Sequence, residues 1–107
     1  MFARLSETTF KQGKREEFVS LATNSLFPIL KKQKGFVDVI GLSNDTDPNV
    51  GVALALWKTK EDAEAFYSGA EFTKLMDQGK PLVADMKVQT FNVAAWPSHQ
   101  IAAGQSG

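Results

Sequence analysis

The order of hydrophobic patterns along the chain predicts an α+β fold of the ferredoxin-like βαββαβ type, an antiparallel four-stranded sheet with helices on one face. Three observations carry this. Two-residue alternation marks residues 2–8 and 86–96, pure turn chemistry joins the β-rich runs 36–42 and 50–57, and the two intervening stretches carry apolar residues at helical spacing. A chain of 107 residues holds one such domain. The patterning assigns it to residues 1–97 and leaves 98–107 as a small, polar tail expected to be mobile.

The first strand alternates Phe2, Arg4, Ser6 and Thr8 against Ala3, Leu5 and Glu7, giving two unlike faces. Phe18, Ala22, Leu26, Ile29 and Leu30 then recur at helical spacing, and Lys31, Lys32 and Lys34 suit a helix C-terminus, where the macrodipole favours cations. Pro28 has no N–H to donate to the carbonyl of Asn24, which predicts a kink or break nearby. Gly35 is expected to stop the helix. In the second strand of the hairpin, Val52, Leu54 and Leu56 fall on one face, and Gly51, Ala53, Ala55 and Trp57 on the other. Thr59 reads as a helix cap, with Glu61 and Asp62 in the first turn. Ala63, Phe66, Tyr67 and Ala70 form the apolar stripe of that helix. Gly69 weakens it, and Phe72, Leu75 and Met76 continue in a second piece that Gly79 and Pro81 end. A short turn is expected over 82–85, then a last strand from Met86 to about Trp96, closed by Pro97.

Several function classes are excluded by composition. Lys+Arg and Asp+Glu number 12 each and no stretch is strongly one-signed, so a basic nucleic-acid footprint is absent. No apolar run is long enough to span a bilayer. There is no cysteine, which removes disulfides, thiolate catalysis and sulfur-ligated metals. Residues 1–7 lack the pattern of a secretion signal, and the expectation is a soluble, cytoplasmic protein. The run Asp45-Thr46-Asp47-Pro48-Asn49 begins like a calcium loop, but Val50 stands where glycine is needed and Leu56 where the bidentate Glu belongs. It reads as a polar hairpin turn. His99, the only histidine, reads as a solvated tail residue, and no two carboxylates stand at i, i+3 or i, i+4 spacing on an apolar helix face, so no metal site is expected. No glycine-rich phosphate loop is present, which argues against nucleotide cofactors.

Phe36, Ile40, Phe91 and Val93 are too many apolar side chains for every strand to leave one face in water, and the sequence predicts a homodimer pressed sheet against sheet. Phe66, Tyr67, Phe72 and Met76 read as core packing. Should Gly51, Ala53 and Ala55 lie beneath the second helix, their small size would leave a space lined by those same side chains.

The run from Leu56-Trp57-Lys58-Thr59 through Phe66, with Gly13, Gly35-Phe36 and a last strand containing Val88 to Val93, resembles the antibiotic biosynthesis monooxygenase family over residues 2–96. The resemblance implies a dimeric α/β barrel with a pocket in each chain between helices and sheet. It also implies oxidation of a small aromatic phenol or quinol by molecular oxygen without cofactor, the deprotonated substrate supplying the electrons. The candidate pocket is Arg4, Ser6, Trp57, Phe66, Tyr67 and Met76. Arg4 would stabilise an enolate or phenolate, and Ser6 or Tyr67 would donate to a substrate oxygen. No catalytic residue carries over. The asparagine, tryptophan and histidine of the haem-degrading branch fall on Ser6, Phe66 and Met76, which disfavours haem degradation. The expected partners are a second copy of the chain and a small apolar or aromatic ligand. The alternative is a non-catalytic ligand-binding or stress-related protein of the same dimeric architecture, favoured by the lack of a poised histidine, cysteine or carboxylate pair.

Overall fold

Strands β1 (Phe2–Phe10), β2 (Phe36–Ser43), β3 (Val50–Trp57) and β4 (Val83–Asn92) form one antiparallel sheet in the order β2-β3-β1-β4. The computed structural model describes residues 1–97; the tail 98–107, with His99, lies outside the described residues. This is the βαββαβ arrangement read from the sequence, with β1 central. The last strand departs from its expected limits. It starts at Val83 because the turn before it is a tight 3₁₀ turn, Lys80–Leu82, built on Pro81, so Val83 already pairs with Phe10. It ends at Asn92, and the Val93 N–H reaches the Met1 carbonyl at 2.9 Å.

Pairing sorts the side chains into cross-strand rows. On the helix side the rows run Phe36–Trp57–Phe2–Asn92, Val39–Ala55–Arg4–Thr90, Gly41–Ala53–Ser6–Val88 and Ser43–Gly51–Thr8–Met86. On the opposite side they run Asp38–Leu56–Ala3–Phe91, Ile40–Leu54–Leu5–Gln89 and Leu42–Val52–Glu7–Lys87. A register shift between Phe36 and Asp38 inserts one residue into β2. Phe36 and Ile40, which plain alternation would put together, therefore face opposite ways. Phe36 packs edge-on against Trp57 at 5.6 Å, whereas Ile40, Leu42 and Phe91 stay 45%, 54% and 47% exposed.

The first helical stretch is α1 (Arg15–Leu21), a π-helical turn over Ala22–Leu26, and α2 (Phe27–Leu30). Across the π turn the Phe27 N–H donates to the Ala22 carbonyl, five residues back. The widened turn stands directly before Pro28, which cannot bond to the Asn24 carbonyl, so the expected break takes the form of a register change. The helix ends at Leu30 rather than at Gly35. Gly35 is instead the left-handed corner that opens β2, with φ 78°, and a Cβ there would overlap the Asp62 carboxylate.

The second stretch is α3 (Lys60–Tyr67) and α4 (Ala70–Gly79), interrupted at Ser68-Gly69. Thr59 caps α3, its hydroxyl accepting from the Asp62 N–H at 3.1 Å. Phe2, Leu30, Ala55, Trp57, Ala63, Phe66 and Phe72 form one buried cluster, in which Trp57 is 0% exposed. No helix among the described residues is long and apolar enough to cross a membrane.

Candidate functional site

Small residues on the sheet face toward the helices leave a hollow of about 340 Å³. Its floor is the row Gly41–Ala53–Ser6 with Gly51 and Thr8 beside it, and its roof is Phe18, Ala22 and Leu26 of the first helical stretch. Phe72 and Met76 of α4 supply an end wall. The sequence pattern places the space under the second helix. There, however, Ala55 is covered by the bulk of Trp57 and Phe66, both within the buried cluster, and the free volume shifts one row along the sheet, beneath α1.

Arg4 enters this hollow from β1. Its guanidinium carbon lies 4.0 Å from the centroid of the Tyr67 ring and 5.4 Å from that of Phe72. The two aromatic faces hold it by cation–π attraction, worth about 0.5–2 kcal/mol. Among the described residues no carboxylate is within ion-pair distance of it. Burial pulls the guanidinium below the ordinary arginine value, and Tyr67 opposes that shift. An arginine remains charged at neutral pH all the same, so the cavity carries a fixed cation with no internal counter-charge.

Tyr67 is held in turn by Trp57, whose indole N–H donates to the phenol oxygen at 3.3 Å. Burial pushes the Tyr67 phenol above the usual tyrosine value, opposed by the Trp57 hydrogen bond and by Arg4. The phenol therefore keeps its proton at neutral pH.

Of the residues predicted for a pocket, Arg4, Ser6 and Met76 line the cavity. Tyr67 stands behind Arg4 and orients it. Trp57 and Phe66 are 0% and 5% exposed and lie in the aromatic cluster, 5.8 Å apart, rather than on the cavity wall. Sequence reasoning missed the roof residues Phe18, Ala22 and Leu26, and with them Arg15 and Ser43 at one end. Arg15, Phe18 and Ala22 stand at i, i+3 and i+7, one face of a helix, and that spacing was the available signal.

Among the described residues no group of three or more histidine, cysteine, aspartate or glutamate side chains is placed to hold a metal ion. The cavity can do something narrower. It can exclude water around an apolar ring and set a cation against an acidic oxygen on that ring.

Residues 1–78 match the model of the family described as antibiotic biosynthesis monooxygenase. Several solved structures share the fold. An antibiotic-biosynthesis-monooxygenase-type protein from Nitrosomonas europaea is 21% identical, with a TM-score of 0.79 over 89% of this chain and 100% of its own. A variant of SnoaB, a cofactor-independent oxygenase from Streptomyces nogalater, is 18% identical, with a TM-score of 0.79 over 89% and 94%. A protein of the same type from Deinococcus radiodurans is 12% identical, with a TM-score of 0.80 over 90% and 95%. No protein of curated function matches the sequence.

Proposed function

The chain belongs to the antibiotic biosynthesis monooxygenase family, and from that premise we propose that it is a cofactor-independent oxygenase of a small aromatic phenol or quinol. The observation that carries the reading is the Arg4 guanidinium, held on the Tyr67 and Phe72 rings without a carboxylate partner, facing an apolar cavity. A phenol bound with its oxygen toward Arg4 loses its proton more readily than in water, because the cation favours the phenolate. The phenolate delivers electron density to a ring carbon, which bonds to one atom of molecular oxygen. The resulting peroxide takes up a proton, the O–O bond breaks, and the hydrogen of that carbon leaves with the outer oxygen as water. Phenol and oxygen thus become quinone and water. Arg4 stabilises the anion, and Tyr67, held by Trp57, positions Arg4. Phe18 and Leu26 keep water from the ring.

We also propose that the protein works as a homodimer. The sheet face away from the helices carries Leu5, Leu54, Ile40, Leu42 and Val52 side by side, a surface suited to a second sheet of the same kind.

A second reading, a ligand-binding protein without chemistry of its own, is favoured by a cavity wall that holds no carboxylate or histidine among the described residues. Oxygen uptake with a panel of hydroquinones and anthrones separates the two. Turnover that falls roughly 100-fold in Arg4→Met supports the oxygenase. Tight binding with no oxygen consumed supports the carrier.

A further inference from the structure

Among the described residues the cavity wall contains two arginines, Arg4 and Arg15, and no acidic side chain, although the basic and acidic residues of the whole chain balance at 12 each. The two sit at opposite ends. Arg4 belongs to the row Val39–Ala55–Arg4, whereas Arg15 donates from Nη2 to the Ser43 hydroxyl at 2.8 Å, and Ser43 lies in the row Ser43–Gly51–Thr8. Four residues along β1 separate these rows, a span of roughly 13 Å. Gly41 and Ala53 form the floor between them and Leu26 part of the roof.

A serine hydroxyl is a poor match for a guanidinium, which presents five donors in a fork suited to a carboxylate. Neither ion pair of the described residues involves Arg15, although Glu16 and Glu17 follow it in sequence. We propose that the ligand of this cavity carries a carboxylate at the end of its apolar body remote from Arg4, and that Arg15 receives it by exchanging its bond to Ser43. The half-buried position of Arg15 at the start of α1 lets a carboxylate dock there without full loss of its water. This assignment rests on the cavity being the ligand site of the proposed function, and not on the oxygen chemistry.

The test compares two probes by titration calorimetry: a hydroxynaphthoate with its two acidic groups at opposite ends of the ring system, and the naphthol lacking the carboxylate. The wild-type chain should bind the hydroxynaphthoate roughly tenfold or more tightly, as charge-assisted hydrogen bonds warrant. Arg15→Met should remove that preference, the hydroxynaphthoate then binding no more tightly than the naphthol. Ser43→Ala should preserve the preference, since it frees Arg15 rather than removing it. Equal affinity of both probes for the wild type overturns the proposal. So does an Arg15→Met variant that loses both probes alike, or a Ser43→Ala variant that matches Arg15→Met, because each marks the pair as a structural latch. Oxygen uptake is scored separately: a carboxylate preference without turnover sinks the oxygenase reading alone, and turnover without the preference sinks this inference alone.

Discussion

Replacing Ala53 by leucine is a signed test of whether the space above the sheet is real. Ala53 sits in the floor row between Gly41 and Ser6, with its side chain toward the cavity. The change adds three carbons, on the order of 100 Å³ if each is taken as about water-sized, against an available volume of about 340 Å³. Each buried methylene contributes roughly 0.8 kcal/mol, an upper limit near 2.4 kcal/mol for the three. Because Ala53 is only half-buried, about 1–2 kcal/mol of stabilisation is expected. That corresponds to a rise of roughly 4–16 °C in Tm for a domain of this size. Urea and thermal unfolding at one fixed protein concentration measure it, and a naphthol titration on the same sample should show affinity lowered at least tenfold. In a solidly packed interior the same substitution costs about 1–3 kcal/mol. A destabilised Ala53→Leu, or one that binds naphthol as well as the wild type, refutes the reasoning.

Tyr67 is the only tyrosine, so the tyrosinate absorbance of the folded chain titrates one group. It should ionise above the ordinary value of about 10, and in Trp57→Phe it should ionise higher still, because the indole hydrogen bond that favours the phenolate is lost. The sign of the stability linkage follows. A phenol whose folded value is raised contributes its full stability below the unfolded value of about 10 and loses it as pH climbs beyond, so alkaline destabilisation should be weaker in Tyr67→Phe. Ile40→Asp, on the sheet face away from the helices, should shift the molecular mass measured by light scattering from that of two chains to that of one, with folded secondary structure retained. A wild-type protein that is already a single chain contradicts the dimer. Gly35→Ala should cost about 1–3 kcal/mol in urea unfolding, from the positive φ and the overlap with Asp62; an unchanged midpoint would show that the corner relaxes freely.

The parts of the fold that local physics controls were legible in the sequence. The parity of β3 separates Val52, Leu54 and Leu56 from Gly51, Ala53 and Ala55, and the Thr59 cap with its acidic first turn sets the start of α3. What escaped depends on register between distant segments. One inserted residue at the start of β2 turns Phe36 inward and Ile40 outward, and nothing in the local pattern announces it. The floor of small residues was readable, but which helix roofs it was not, because both stretches present apolar stripes of similar width. The pocket residues divide along the same line. Arg4 and Ser6 follow from strand alternation beside small neighbours, whereas Trp57 and Phe66 are withdrawn from the cavity wall by their own mutual packing. Arg15 meets Ser43 across 28 residues of chain, a contact only the folded register creates.

The most direct measurement is the acidity of a phenol while it occupies the cavity, followed by the absorbance of a bound nitrophenol as pH is varied. With Arg4 beside the oxygen, the bound phenol should ionise about one unit below its value in water, and in Arg4→Met about one unit or more above it, as desolvation alone dictates. A bound phenol that is harder to ionise in the wild-type protein than in water would contradict the assignment of Arg4 as the group that stabilises the anion.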